Sequence, residues 1–157
     1  MLFLEFSLVL LSNVCIAGEG GVAPDRLIET STGVIFSKEV AVAKRVCASL
    51  RDCWNPSGQE IEILEKDLPR FLSESKIWGS AEISRNLTKY RFKYYGLKKG
   101  GARYIHVNGL CQKYWRRESA NFDSPNRPMT DMGSCYFLID YDVVRRKFEN
   151  YYVDGEA

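Results

Sequence analysis

Residues 89–111 decide the fold, and they read KYRFKYYGLKKGGARYIHVNGLC. The rings of Tyr90, Phe92 and Tyr94 alternate with basic residues, which is the period of two typical of a half-buried strand. The Lys-Lys-Gly-Gly sequence that follows contains glycines that tolerate positive φ, so it indicates a hairpin turn. The chain then returns as a second alternating run at 104–111. Together these features predict two adjacent antiparallel strands.

A second hairpin is indicated further along the chain. Residues 135–141 alternate around Phe137 and Ile139, and residues 148–153 form another apolar run. Between them, Asp142 opens a turn, where we expect its carboxylate to bond nearby backbone amides. The sequence therefore predicts four antiparallel strands in a meander.

Helices are indicated before the strands. Ser57 stands three residues before Glu60, the capping-box arrangement that starts a helix, and Pro69 predicts a bend or a restart capped by Asp67. Residues 37–50 carry apolar residues at helical spacing, although their valines also suit a strand. The longer helix carries an apolar stripe, namely Ile61, Leu64, Leu68, Phe71 and Leu72.

These elements predict an α+β fold with N-terminal helices packed on a four-stranded antiparallel meander, a cystatin-like roll. The domain boundaries we expect are a signal peptide at 1–18, a tail or edge segment at 19–36, and a single α+β domain at 37–157. The predicted core consists of Leu64, Leu68, Phe71, Phe92, Ile105, Val107, Phe137 and Ile139.

The N-terminus favours export. Residues 2–17 hold an apolar stretch of about ten residues, too short for a spanning helix but suited to a secretory signal that ends near Ala17 and Gly18. Glu5 and the absence of a preceding basic residue count against this interpretation, and the alternative is a buried N-terminal element of a cytosolic protein. Export predicts a periplasmic or secreted protein with no stable membrane insertion after cleavage.

Cysteine usage agrees with export. Once the segment holding Cys15 is removed, four cysteines remain, an even number that allows three pairings. Cys111 and Cys135 lie at facing ends of adjacent predicted strands, so their pairing is the simplest, and it leaves Cys47 with Cys53. Buried free thiols are the alternative. A zinc site is disfavoured because the spacings contain no close CxxC pair.

One histidine is present, and it suggests an enzymatic alternative. His106 falls on the same predicted strand face as other polar residues, so a small enzyme with a pocket between helix and sheet, lined by Tyr94, His106 and Tyr136, is one hypothesis. Asp140 and Asp142 are spaced to share a strand face as a carboxylate pair. A lone strand histidine is more often structural, and we predict no catalytic residue.

Basic residues interleaved with aromatic residues at 90–94 suggest nucleic-acid binding as another alternative. The run lacks the RNP1 pattern, and a net charge of +2 does not by itself imply a polyanion, so no nucleic-acid partner is expected. The polar insertion at 112–133 is a better contact surface. There Trp115, Arg116 and Arg117 have the composition of a protein-interface anchor, the alternative being a mobile connection with a tucked tryptophan.

Several short motifs carry a resemblance over about the last seventy residues, 87–157. They are Tyr94-Tyr95-Gly96, Val107-Asn108-Gly109, Gly133-Ser134-Cys135-Tyr136-Phe137 and the terminal Asp154-Gly155-Glu156-Ala157. This region resembles a group of small exported bacterial proteins of unassigned activity that end in an Asn-Gly-Glu-Ala-like sequence, from which Asp154 departs. The resemblance implies the compartment and the fold but no mechanism.

The sequence as a whole predicts an exported, non-enzymatic binding or inhibitory module. Its expected partner is another protein in the envelope or outside the cell. No nucleophile elbow, metal-ligand spacing or phosphate-binding loop is recognisable, so neither a cofactor nor a metal is expected.

Overall fold

A computed structural model describes residues 27–118 and 132–155. The predicted signal peptide and part of the polar insertion lie outside these described residues. In chain order the elements are β1 (Leu27–Glu29), β2 (Gly33–Phe36), α1 (Lys38–Ala43), β3 (Cys53–Trp54), α2 (Gly58–Glu74), α3 (Ser80–Arg85), a 3₁₀ turn (Leu87–Lys89), β4 (Tyr90–Lys99), β5 (Ala102–Cys111), α4 (Gln112–Glu118), a second 3₁₀ turn (Gly133–Cys135), β6 (Tyr136–Asp142) and β7 (Lys147–Val153).

The described strands form one mixed sheet of seven, in the order β1-β2-β4-β5-β6-β7, with β3 paired to the end of β4. The predicted cystatin-like roll with a four-stranded meander is therefore wrong. Residues 27–36, interpreted as a tail or edge segment, supply two strands, and β2 runs parallel to β4 with Ile35 beside Tyr94. In the part of the chain that the structure describes, β1 and β2 come before α1, so the helices do not simply precede the sheet.

Gly33 explains how β2 joins the sheet. A Cβ at this position would collide with the backbone carbonyl of Phe92, so only glycine allows the two strands to approach as they do. The amide of Phe92 donates to the carbonyl of Thr32 at 3.0 Å, which extends the pairing by one bond. The parallel pair depends on this close backbone contact between distant parts of the chain.

Helix α2 begins as predicted, because Ser57 and Glu60 form a complete capping box. The helix continues through Pro69 to Glu74, and Asp67 does not cap a restart. Instead Asp67 accepts hydrogen bonds from Tyr141 and from Arg146 of the β6–β7 turn, both at 2.8 Å. These contacts hold α2 against β6 and the β6–β7 turn near the far edge of the sheet.

The core between α2 and the sheet is confirmed. Of the eight predicted core residues, seven are buried, and Phe71 packs against the cluster with its ring centroid 4.8 Å from that of Phe148. The ring of Phe137 occupies the space above Gly109, where any Cβ would collide with it. This part of the sheet face is filled by apolar side chains, which is the main source of stability in a domain of this size.

The other face of the sheet is covered in part by α1. Ser37 caps this helix by accepting from the amide of Val40, but the helix ends at Ala43, earlier than the predicted residue 50. Arg45 follows with a φ of 57°, a left-handed conformation that stops the helix. The remaining predicted residues form the loop that leads to Cys53.

Two disulfides are present, Cys47–Cys53 and Cys111–Cys135. Their Cα–Cα distances are 6.1 Å and 4.8 Å, and the pairs are the ones that strand geometry favoured. The second disulfide links the end of β5 to the start of β6. Disulfides of this kind persist in oxidising compartments, so they are compatible with a protein outside the cytoplasm.

Candidate functional site

The pocket expected around the histidine is not formed by its predicted residues. Tyr94 faces α2, where it is fully buried, while His106 and Tyr136 point from the opposite face of the sheet. The space between α2 and the sheet is occupied by the apolar core. A pocket lined by all three side chains would have to pass through the sheet.

Tyr94 takes part in a structural contact. Its hydroxyl donates to Oε1 of Glu65 on α2 at 2.5 Å, and the hydroxyl of Thr32 donates to the same oxygen. Burial raises the pKa of Tyr94 far above its usual value, and the neighbouring carboxylate raises it further, so the phenol stays protonated. The contact ties the β1–β2 turn and α2 to β4.

His106 pairs with a carboxylate on the neighbouring strand. Its Nδ1 lies 2.7 Å from Oδ1 of Asp140, which stands directly opposite it in the β5–β6 register. Oδ2 of Asp140 accepts from Nζ of Lys99 at 2.7 Å and from Nδ2 of Asn150 at 2.8 Å. Asn150 reaches this position because it adopts a φ of 53° beside the irregularity in the β6–β7 register.

Asp140 is ionised in this arrangement. Burial by itself would raise the pKa of Asp140, but the hydrogen bonds and positive charge supplied by His106, with further bonds from Lys99 and Asn150, hold it well below its usual range. Because Nδ1 faces this carboxylate, Nε2 is the ring nitrogen that points away from Asp140. The pair has the orienter and base of a catalytic triad, yet among the described residues no Ser, Thr or Cys hydroxyl or thiol bonds to His106.

Asp142 opens the β6–β7 turn and bonds its backbone amides, as the sequence predicted. Its Oδ1 accepts from the backbone amides of Val144 at 3.0 Å and Arg145 at 2.8 Å. The pKa of Asp142 is lowered, first by the backbone hydrogen bond from Arg145 and then by the guanidinium of the same residue. Asp140 and Asp142 share a strand face but have separate structural partners, so they do not form a pair with split acid and base roles.

The predicted anchor residues lie on α4. Trp115 is half-buried and packs against the small cluster of Leu110 and Tyr136, with the guanidinium of Arg91 5.5 Å from its ring centroid. Arg116 and Arg117 belong to the same helix, but their side chains lie outside the described residues. A partner contact through Trp115, Arg116 and Arg117 stays a prediction.

The basic and aromatic run on β4 does not present a stacking surface. Tyr90, Phe92 and Tyr94 are each 5% exposed or less because they belong to the core under the helices. Bases therefore have no access to these three rings.

A groove lies beside the Cys111–Cys135 disulfide at one end of the sheet, between α3 and α4. Its volume is about 680 Å³, within the range of ligand-binding clefts. One wall comes from α3 and the 3₁₀ turn after it, the floor from the start of β4 and the end of β5, and the other wall from α4 and the 3₁₀ turn before β6. The residues that line this disulfide groove are Glu82, Asn86, Lys89, Tyr90, Cys111, Gln112, Lys113, Ser134 and Cys135.

The wall of the disulfide groove at residues 133–135 is fixed by several contacts. The disulfide holds Cys135 to β5, and the Tyr90 hydroxyl donates to the carbonyl of Ser134 at 2.7 Å. Just before this wall, the amide of Met132 donates at 2.8 Å to the buried carboxylate of Asp154. Burial raises the pKa of Tyr90 to about 12, so its hydroxyl remains a donor at physiological pH. The groove is therefore preformed.

The disulfide groove is not predicted by the sequence. The sequence singles out one wall through Cys111, Cys135 and the insertion between them, but it gives no sign of α3, which carries the other wall. Helix α3 has only six residues and starts after Gly79 without a side-chain cap, so it lacks the usual signal of a helix start. The pairing of the two cysteines was the available signal.

Comparison of the chain with protein-family models, with curated proteins and with solved structures finds no match. In the part of the chain that the structure describes, no group of three or more His, Cys, Asp and Glu side chains is placed to hold a metal ion. Across residues 27–118 and 132–155, none of the helices has the length and apolar character needed to span a bilayer.

Proposed function

We propose that this protein is an exported binding or inhibitory module that engages another protein through the disulfide groove. The observation that carries the proposal is the groove itself, a preformed cleft of about 680 Å³ whose lining is contributed by separate elements and whose wall is cross-linked. A fixed cleft lowers the entropy cost of binding, because fewer side chains must be ordered when the partner arrives.

The chemistry of the lining supports binding over catalysis. The groove offers ammonium groups, a carboxylate, carboxamides and hydroxyls, but its described residues include no histidine and no nucleophile paired with a base. Such a set of groups recognises polar atoms by hydrogen bonds and charge. The two disulfides support a location in the periplasm or outside the cell.

Affinity capture from the native envelope fraction tests this proposal, with the mature chain as bait. One bait carries Gln112→Trp, which fills the cleft from an exposed lining position, and the matched control is Gln59→Trp on the exposed start of α2. We expect a partner that is retained by the natural chain and by the control but is lost by Gln112→Trp. Equal retention by all three baits, or no specific partner, contradicts the proposal.

Export is tested separately by N-terminal sequencing of the chain recovered from the envelope fraction. We expect cleavage close to Ala17 and Gly18, and a chain that keeps Met1 in the cytoplasmic fraction contradicts export. This result does not depend on the partner, so it separates the compartment from the binding site.

A second candidate function is favoured by the pair of His106 and Asp140. A buried carboxylate that orients an imidazole is the arrangement used by general bases, which makes a small hydrolase on the face of the sheet opposite α2 the alternative. Hydrolysis of a panel of chromogenic esters and peptides by the natural chain and by His106→Ala tests it. Turnover that disappears in the variant supports the enzyme, and identical background rates reject it for those substrates.

A further inference from the structure

The two lysines of the disulfide groove are held in place without losing their charge. Nζ of Lys89 donates to Oδ1 of Asn86 at 2.9 Å, and Asn86 in turn donates to the carbonyl of Glu82 at 3.0 Å. Nζ of Lys113 lies 4.7 Å from the centroid of the Tyr114 ring. Both partners are neutral, and neither ammonium forms an ion pair with a described carboxylate. The positions are restrained while the positive charges remain available.

The two ammonium groups belong to elements on opposite sides of the disulfide groove. Lys89 comes from the turn after α3 and Lys113 from α4, and both side chains are exposed. Glu82 is the one carboxylate among the described lining residues, so the lining carries two positive charges and one negative charge. An anionic ligand is therefore favoured over a cationic one, and two cations on opposite walls suit a ligand with more than one anionic group.

The floor of the groove has a different character. The half-exposed disulfide of Cys111 and Cys135 presents sulfur and carbon atoms between the two lysines, whereas Tyr90 is buried and contributes little surface. Gln112 adds an exposed carboxamide at the rim, which suits a peptide backbone because it both donates and accepts. The groove therefore suits a ligand that places carboxylates at the two walls, a peptide backbone along the rim and an apolar side chain on the floor.

We propose that the disulfide groove binds an acidic peptide segment of the partner protein, with its carboxylates at Lys89 and Lys113. This inference rests on the proposed function and adds the chemistry of the ligand. Among polyanions, nucleic acid is a poorer fit because the Tyr90 ring is buried and offers no surface for base stacking. A phospholipid surface is also a poorer fit because the lysines lie around a concave cleft.

The test is a titration of the mature chain against two fluorescein-labelled peptide libraries, followed by anisotropy. In one library Asp and Glu alternate with random residues, and in the other Asn and Gln replace them. The groove variant is Lys89→Ala/Lys113→Ala, and the matched control is Lys66→Ala/Lys98→Ala, which removes two exposed lysines from α2 and from the opposite end of β4. A third variant, Lys89→Arg/Lys113→Arg, keeps the charges.

We expect the acidic library to bind and the amide library to bind more weakly. Affinity for the acidic library should fall about tenfold in the groove variant, the sum expected for two exposed ion pairs, and should stay within about twofold in the control and in the arginine variant. Raising the salt concentration should weaken the binding that the natural chain shows. Equal binding of the two libraries, or an equal loss in the control, overturns the inference.

The same titration distinguishes the two proposals. If both libraries bind equally and Gln112→Trp abolishes both, the groove remains the binding site and the acidic specificity is wrong. If neither library binds and Gln112→Trp also leaves capture of the partner unchanged, the proposed function is wrong as well. A further outcome is that single-stranded DNA or anionic vesicles bind more strongly than the acidic library and lose this binding in Lys89→Ala/Lys113→Ala. That result assigns the lysines to another polyanion and overturns the inference.

Discussion

The same face of the sheet has two unlike parts. Under α2 the face is filled, and residues such as Leu64 and Ile105 are completely buried. Beyond α3 the face opens into the disulfide groove, where Lys89 and Lys113 are exposed and the wall is held by a cross-link. The filled part gains its stability from apolar burial, whereas the open part keeps its shape through covalent and hydrogen bonds. If the groove is the binding site, recognition should depend mainly on the open part and stability mainly on the filled part, with the Cys111–Cys135 disulfide contributing to both.

The largest effect is expected in the filled part. Leu68→Ala should lower the free energy of unfolding by about 2–5 kcal/mol, because the side chain is 1% exposed and its removal leaves a cavity under α2. Urea unfolding followed by circular dichroism measures this loss. The matched control is Glu62→Ala on the exposed side of the same helix, where we expect about 0.5 kcal/mol or less. If the folded Leu68→Ala variant loses as much free energy of peptide binding as of unfolding, stability and binding do not depend on separate parts of the molecule.

The disulfide at the groove should affect both properties. Cys111→Ala/Cys135→Ala should lower the free energy of unfolding by about 3 kcal/mol, because it releases a loop with a sequence separation of 24, and should also weaken peptide binding since one wall is freed. Cys47→Ala/Cys53→Ala is the comparison. It opens a loop with a separation of 6, so about 2 kcal/mol is expected, with no change in affinity. Equal losses of affinity in both variants would show that the wall has no special role.

The opposite face of the sheet supplies a smaller, pH-dependent effect. The pKa of Asp140 is lower in the folded chain than in the unfolded chain, so its contribution to stability is complete above the unfolded value of about 3.9 and is lost as the pH falls further through the folded pKa. Asp140→Asn should cost about 1–3 kcal/mol at neutral pH and should flatten the decline of stability in acid.

Stability measured between neutral pH and acid tests this effect, and the control is Asp52→Asn, which removes an exposed carboxyl on a loop. An acid decline in Asp140→Asn as steep as in the natural chain contradicts the assignment. Peptide affinity should be unchanged in this variant, because Asp140 does not line the disulfide groove.

The sequence predicted the elements whose signals are local. The rings of Tyr90 and Phe92 alternate with basic residues over enough positions to identify β4, and Ser57 with Glu60 marks the start of α2. The predicted core followed from the same spacing. Each of these signals lies within a few residues, where side-chain period and capping chemistry act directly.

The rest depends on contacts between distant parts of the chain. Strand β2 has four residues, and it joins β4 because Gly33 allows a backbone approach that no local pattern records. His106 and Asp140 were each noticed, but their pairing requires the register of β5 and β6. The disulfide groove brings Lys89 and Lys113 together, and one of its walls comes from α3, a helix with no side-chain cap.

The measurement that tests the central claim most directly is a chemical-shift titration of the isotope-labelled mature chain with the captured partner. If the disulfide groove is the binding site, the largest shifts of backbone amides should fall at its lining, at Asn86, Lys89, Lys113 and Ser134, while the amides under α2 stay unchanged. Largest shifts around His106 on the opposite face, with the groove unchanged, would contradict the account.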